Sequence, residues 1–285
     1  DPITDTWSHY TRYGSSSNSL SHTSILSLHK DMQGNIWVGT YYGGVNVFNP
    51  DKNNHSFYCA EPLREDCLSF PVVGKMTEDS AGNVWICTEG GGLNCYHGDT
   101  GVFSRYMYQK GDQSTLGSNN VKSVFYRKEN NRLYAGTHLG GLFVLDLKSN
   151  KGHTLHHVTG DPASLPHEIV NDIQEYKDGI AMLTQGGPVF FDPVTEKFSP
   201  LTDDPSVQKL ISREYAFETF LIDSRQRMWL AVGGGGIVCV NLSSSKVTQY
   251  LADSEKDTLT VGRYKTVHIF EDNKGDIYFS TIGAG

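Results

Sequence analysis

The chain has little that would suit it to a bilayer or to nucleic acid. No run of 18 apolar residues occurs in its 285 residues, so no stretch is long and apolar enough to span a membrane as a helix. Its net charge is −8 and no basic tract is present, which removes the electrostatic footprint of a phosphate-backbone binder. Cysteine is scarce: five residues cannot all pair, and no spacing among them makes a zinc site or a Cys-x-x-Cys redox pair. Cys87, Cys95 and Cys239 lie in apolar, strand-like runs and read as small core residues, while the closeness of Cys59 and Cys67 leaves a disulfide between them open. An apolar leader is also missing. The chain opens on Asp1-Pro2 and stops at a Gly-rich corner, and we read it as a piece of a longer protein rather than as a cytosolic one.

What is present is glycine and aromatic side chains, arranged in copies of one text. The 30 Gly, 15 Tyr and 13 Phe, with a hydrophobic content of 38%, fit a sheet protein with many tight turns. The text is clearest from Asp31 to Phe48, DMQGNIWVGTYYGGVNVF: an acidic residue, a Gly-Asn turn, an aromatic strand closing on Thr, a Gly-Gly corner and a second alternating strand. It returns as DSAGNVWICTEGGGLNCY from Asp79, KENNRLYAGTHLGGLFVL from Lys128, DSRQRMWLAVGGGGIVCV from Asp223 and DNKGDIYFSTIGAG from Asp272, with a weaker copy, GIAMLTQGGPVFF, from Gly179. The residues closing the aromatic strand are Thr40, Thr88, Thr137, Thr184, Val232 and Thr281, spaced by 48, 49, 47, 48 and 49. Such a period signals a solenoid or a propeller. A second marker keeps the same beat: Leu20, Leu68, Leu116, Leu165 and Leu259, with Leu210 fifth in order, each read as a plug between neighbouring units.

Each of the first five copies reads as four strands, for example Ser24 to His29, Ile36 to Thr40, Val45 to Phe48 and His55 to Cys59 in the first, and the sixth ends after two. The expected fold is therefore all-β: a β-propeller of four-stranded antiparallel blades, about six in number, five complete and one composite or truncated, forming a single domain over residues 1–285. The blades fall near residues 24–59, 73–108, 121–157, 170–201, 216–250 and 266–285, the last together with residues 6–13. Two closures stay open: strand Thr6 to Tyr13 completes the last blade of a six-bladed ring, or the chain is an arc of a seven-bladed one. The fourth repeat departs most, with Lys177-Asp178-Gly179 as its turn and Pro188 opening its third strand, where a missing ladder donor is tolerated. Helix is expected only as a turn or two over residues 204–214.

Propeller geometry sends the second-to-third strand corners and the unit-to-unit linkers to one face, and loops on a rigid frame are where selectivity is carried. The corners offer Tyr41, Tyr42, Glu89 and His138, and the linkers offer His22, His167, Arg213, Tyr215, Arg263 and Tyr264. Aromatic faces stack on sugar rings, and Arg pairs with carboxylate or sulfate, so an acidic or sulfated sugar suits such a set. The competing reading is that these side chains merely cap a channel. Other polar groups read as frame. His153, His156 and His157 belong to an outer strand, and Asp31, Asp79, Asp223 and Asp272 recur once per unit as hairpin-turn acceptors. The four glycines from Gly233 lack the Lys and helix of a phosphate loop. The inner strands carry Ser24, Ser27, Lys75, Lys122, Ser123 and Lys265 but few acids, so no catalytic residue, metal or cofactor is expected.

The Gly34-Asn35-Ile36-Trp37-Val38-Gly39-Thr40 string with Gly43-Gly44, and the matching Val84 to Thr88 with Gly91-Gly92 and Asp99 to Gly101, are similar to the two-component regulator propeller repeat. The resemblance covers essentially the whole chain; Val232 in place of Thr, and Met182 or Ala181 in place of Trp, depart from it. It implies the periplasmic sensor region of a hybrid two-component system, recognising an oligosaccharide and signalling to a membrane-linked histidine kinase outside this chain. As implied partners it adds a homodimer or an adjacent propeller, with no nucleic acid and no direct membrane contact for this part. A structural or dimerisation propeller is the alternative, and a propeller lyase or hydrolase a more distant one.

Overall fold

The computed structural model describes Thr6 and residues 19–51, 54–61, 64–214, 216–250 and 265–282. The expected strand over residues 6–13 and the marker Leu259 therefore lie outside the described residues, apart from Thr6. Contacts divide the chain into two units, one of residues 1–135 with 146–150 and one of 136–145 with 151–285.

The first unit holds two complete sheets. In the first, β1 (Ile25–Lys30), β2 (Ile36–Thr40), β3 (Val45–Asn49) and β4 (Asn54–Tyr58) pair in chain order. The second repeats this with β5 (Val73–Glu78), β6 (Val84–Thr88), β7 (Leu93–Tyr96) and β8 (Phe103–Tyr106). All pairings are antiparallel and in register with the predicted hairpins, Trp37 opposite Val47 and Trp85 opposite Cys95. The third repeat adds β9 (Val121–Arg127), β10 (Arg132–Thr137), β11 (Leu142–Asp146) and β12 (Lys151–Leu155), again one four-stranded sheet. Strand β12 ends at Leu155, so His156 and His157 follow the outer strand rather than belonging to it.

The start of each second strand explains the repeated acid. Asp31 accepts hydrogen bonds from the backbone N–H of Gln33 (3.0 Å) and Asn35 (2.8 Å) and from Trp37 Nε1 (2.8 Å). Asp79 does the same for Ala81, Asn83 and Trp85, and Asp223 for Arg225, Arg227 and Trp229. One carboxylate thus closes a three-residue loop and satisfies an indole buried between sheets. The last loop residue must be left-handed, and Gly34 (φ 83) and Gly82 (φ 80) take that position. In the first unit Trp37, Val45, Val47, Leu68, Val73, Val84, Ile86 and Phe103 form the core between the first two sheets. Truncating one such buried aromatic costs about 3–5 kcal/mol. Of the marker leucines, Leu68, Leu116 and Leu165 are fully buried, whereas Leu20 is only half-buried.

The second unit carries β13 (Val170–Tyr176), β14 (Gly179–Thr184), β15 (Gly187–Asp192) and β16 (Lys197–Pro200), then β17 (Phe217–Ile222), β18 (Arg227–Val232), β19 (Ile237–Asn241) and β20 (Val247–Tyr250). A two-stranded sheet, β21 (Thr266–Glu271) and β22 (Ile277–Thr281), ends the described chain. The fourth repeat's departures are coherent. Ala181, three residues before the closing Thr184, stands where the first, second and fifth repeats have Trp and the third and sixth have Tyr, and Tyr176 pairs directly with Gly179 across a two-residue turn. Pro188 is the second residue of β15, not its first.

The expected helix exists as α1 (Pro205–Lys209), capped by Asp204, followed by a π turn over Leu210–Glu214. It alters the fifth marker: Val207 and Ile211 enter the buried cluster with Phe217, Phe220 and Leu230, while Leu210 packs only at its edge. All five cysteines are thiols, so the Cys59–Cys67 pairing is not made. Cys59 is exposed and Cys67 buried. Burial pushes the Cys95 thiol up to about 12 and the Cys239 thiol to about 11, consistent with core residues rather than nucleophiles.

Candidate functional site

The far end of each second strand is built differently from its start. Thr40 Oγ1 donates to Gly44 O at 2.8 Å, and Thr88 and Thr137 close the next two corners in the same way. Val232 lacks the hydroxyl and keeps only the backbone bond, Val232 N to Gly236 O at 3.0 Å. Linkers lock onto these corners. Ser21 and Asn46 exchange two hydrogen bonds, as do Ser69 and Asn94, and Tyr41 N donates to Ser24 O while Gly44 N donates to Pro71 O. Gly91 permits the close approach: a Cβ there would stand 2.2 Å from Ser69 Oγ. Corners and linkers therefore share one end of each sheet, as expected.

In the first unit this end gathers four of the predicted residues. Tyr41 and Tyr42 meet edge to face, with centroids 4.5 Å apart and planes at 71°, and the His22 ring lies 6.5 Å from Tyr41. Both tyrosines are open to solvent, 42% and 61% exposed. The hydrogen bond that the Tyr41 phenol donates to its neighbour Tyr42 and that neighbour's charge, together with burial and the Glu89 carboxylate, hold the Tyr41 phenol above its ordinary range. Glu89 is tied at 3.3 Å to Lys122, which inner strand β9 supplies. His22 Nδ1 accepts from Ser24 N at 3.0 Å, a turn bond that fixes the ring.

In the second unit His138 is half-buried at the third corner. His167 repeats the arrangement of His22, its Nδ1 accepting from Ile169 N at 3.1 Å beside the Gly186 corner. Glu168 is committed elsewhere, to His156 Nδ1 (3.1 Å) and His157 N (2.8 Å), and His153 meets Glu196 at 2.9 Å. These histidines are held in local hydrogen bonds, and among the described residues no three His, Cys, Asp or Glu side chains converge as a metal site. Tyr215, Arg263 and Tyr264 lie outside the described residues, and of Arg213 only the backbone, in the π turn, is described.

A cleft of about 150 Å³ opens at the other end of the strands in the first unit, lined by Asp31, Asn35, Trp37, Asn49, Tyr58 and Tyr96 among others. Sequence reading missed it because its residues come from two repeats. Its polar atoms are largely paired with one another: Asn49 Nδ2 donates to Asn35 Oδ1, Asn35 Nδ2 to Asp31, and Tyr58 OH to Tyr96 OH. The Tyr58 ring covers that of Trp37 in a parallel stack, so the aromatic faces are not presented to a ligand. The corner end is the better candidate, because its rings are open.

The comparisons agree with this architecture. The fold is a β-propeller of four-stranded antiparallel blades. The extracellular domain of BT3049 from B. thetaiotaomicron, described as a hybrid two component system, superposes with a TM-score of 0.74 at 23% identity, covering 97% of this chain and 35% of that one. The extracellular domain of BT4673 from the same organism gives 0.68 at 20% identity, covering 90% and 34%. PorZ, a surface component of the type-IX secretion system of Porphyromonas gingivalis, gives 0.63 at 13% identity, covering 91% and 37%. The chain thus spans about a third of the length of these structures. Residues 19–42 match the two component regulator propeller family, so the first repeat is a repeat of that kind, as its Gly-Asn-Ile-Trp-Val-Gly-Thr string suggested. No curated protein matches the chain.

Proposed function

We propose that this chain is the ligand-sensing propeller of an extracytoplasmic, periplasmic receptor of the hybrid two-component kind, and that it recognises an oligosaccharide on its corner-and-linker face. It binds without chemistry of its own. The consequence of binding passes through a second copy or an adjacent propeller to a membrane-linked histidine kinase elsewhere in the full protein. The observation carrying this reading is the pair of open tyrosines, with the His22 ring beside them, at the corner-and-linker end. Large rings that lose two rotatable angles on binding give contact area at low entropic cost. Support for the receptor context comes from the family match at residues 19–42 and from the fold likeness to extracellular domains of hybrid two component systems.

A thermal-shift panel of neutral and uronate-containing oligosaccharides tests it. A ligand that binds only the folded form raises Tm in proportion to RT ln(1 + [L]/Kd), so a saturable rise with one sugar class is the expected result. A cooperative melt that no sugar moves refutes the oligosaccharide reading.

A further inference from the structure

The corners let one repeat be read against another. Two residues past the closing threonine the backbone φ is positive in each of the first three repeats: Tyr42 (68°), Gly90 (127°) and Leu139 (60°). The second repeat fills this position with glycine, which pays no Cβ penalty there. The first holds a tyrosine in the left-handed region, where an L side chain is strained. Burial would offset that strain in a core residue, but Tyr42 is 61% exposed. Nor does the frame need its ring. The second corner makes the same closing bonds without one, Thr88 N to Gly92 O and Glu89 N to Val72 O, alongside Thr40 N to Gly44 O and Tyr41 N to Ser24 O in the first. In the second repeat the ring at this end comes from the linker instead: a Cβ on Gly90 would stand 3.3 Å from Phe70. The repeats share the turn and differ in what they display on it.

We propose that Tyr42, presented by its left-handed corner and steadied by Tyr41, is the stacking platform for one neutral sugar ring and sets which sugar this propeller accepts. This rests on the ligand-sensing reading above and deepens it. The axial C–H groups of a pyranose carry partial positive charge and meet the electron-rich face of a tyrosine. Among the described residues, the Glu89 carboxylate acts electrostatically on Tyr41 and is itself paired with Lys122 at 3.3 Å. With Lys122 committed to Glu89, that ammonium is not offered to a carboxylated or sulfated ring on Tyr42, whereas the hydroxyls of a neutral ring find an acceptor in the carboxylate.

The test uses Tyr42→Gly, which installs the residue of the second corner, and Tyr42→Asn, since Asn tolerates the left-handed region. Tm of the unliganded proteins is measured first. Calorimetric Kd values follow for neutral gluco-, xylo- and galacto-oligosaccharides and for uronate-containing ones. Both variants should melt no lower than wild type, while Kd for the neutral sugar that wild type binds rises tenfold or more, a loss of about 1.4 kcal/mol. Tyr42→Phe should keep Kd within about threefold of wild type, because stacking needs the ring and not the hydroxyl. Variants that bind like wild type overturn the platform and leave the sensor reading standing. Variants that melt well below wild type also overturn it, because Tyr42 then serves the fold. Binding confined to uronates overturns the neutral ring, and a wild type that binds no saccharide overturns this inference together with the reading beneath it.

Discussion

Replacing Asp79 with alanine takes one carboxylate away from three kinds of donor: the turn N–H groups of Ala81 and Asn83, the Asn83 amide, and the Trp85 indole at 2.9 Å. Trp85 is 2% exposed, so its N–H, once orphaned, has no route to water; an unsatisfied buried donor costs roughly 1–3 kcal/mol. The turn donors lie nearer solvent and recover part of their loss, adding roughly 1 kcal/mol. We expect a total near 3 kcal/mol. Trp85→Phe removes the indole donor itself, so in that background Asp79→Ala should cost only the turn component. The double-mutant cycle should therefore show a coupling of about 1.5–2 kcal/mol. Urea unfolding followed by far-UV circular dichroism measures it without relying on the deleted fluorophore. The protein's own repeats contain a version of the experiment. The third, with Lys128 at the acidic position, has Tyr134 in place of Trp and satisfies it with Asn130 Nδ2 at 2.7 Å. The fourth has lost the long turn and the Trp together. Additive single-mutant effects, within about 0.5 kcal/mol, would refute the claim that the acid is retained for the indole.

Two further outcomes follow from the same contacts. Gly91→Ala places a Cβ 2.2 Å from Ser69 Oγ and 2.6 Å from Phe70 Cβ, and should destabilise by about 1–3 kcal/mol, whereas Gly234→Ala meets nothing within 4 Å and should stay within about 0.5 kcal/mol in differential scanning calorimetry; equal effects would show that linker and corner do not interlock. Burial alone would raise the Asp223 carboxyl, but hydrogen bonds from Trp229 and Arg227 and the Arg227 charge outweigh it and hold the group below its usual 3.8. The unfolded chain therefore takes up the proton first as pH falls. Stability from Asp223 is complete above about pH 4 and is lost as pH drops toward the folded-state value. Asp223→Asn should flatten that part of an acid unfolding profile, and an unchanged profile would remove Asp223 from the account.

Strand positions were legible because two periodicities coincide: alternation within strands, and a repeat near 48 residues that aligns weak copies with strong ones. Ile36–Thr40, Val84–Thr88, Ile237–Asn241 and Thr266–Glu271 fall where expected, since turn chemistry on both sides pins each strand. The role of the recurring aspartates was legible for the same reason. The misreadings come where a local rule is overridden by what packs behind it. Leu210 sits at the expected spacing, but the helical turn after Pro205 rotates Val207 and Ile211 inward instead. The site was legible as a set of loops and not as a constellation. His22 and Glu89 lie 67 residues apart in sequence, and only the bulge at the start of each inner strand and the linker locks decide which side chains meet.

The two ends of each second strand obey different rules, and that difference bears on how a receptor of this design changes specificity. At the start, one acid serves turn and indole at once, so a change in either partner must be answered in the other. At the corner, the frame asks for little beyond the closing backbone bond and for room where the chain passes its neighbour: a Cβ on Gly44 would lie 2.3 Å from Tyr58 O, and one on Gly92 2.2 Å from Tyr106 O. The residues between are unconstrained by the core, and they are where the repeats disagree: Tyr41-Tyr42, Glu89-Gly90, His138-Leu139, Gln185-Gly186. Side chains that vary there without cost to the sheets can be exchanged without unfolding them. Selectivity at such a face is therefore separable from stability. Transplanting the Glu89-Gly90 pair into the first corner should leave urea unfolding unchanged while altering which sugar the protein retains, and a swap that unfolds the sheet would show that the corner belongs to the frame after all.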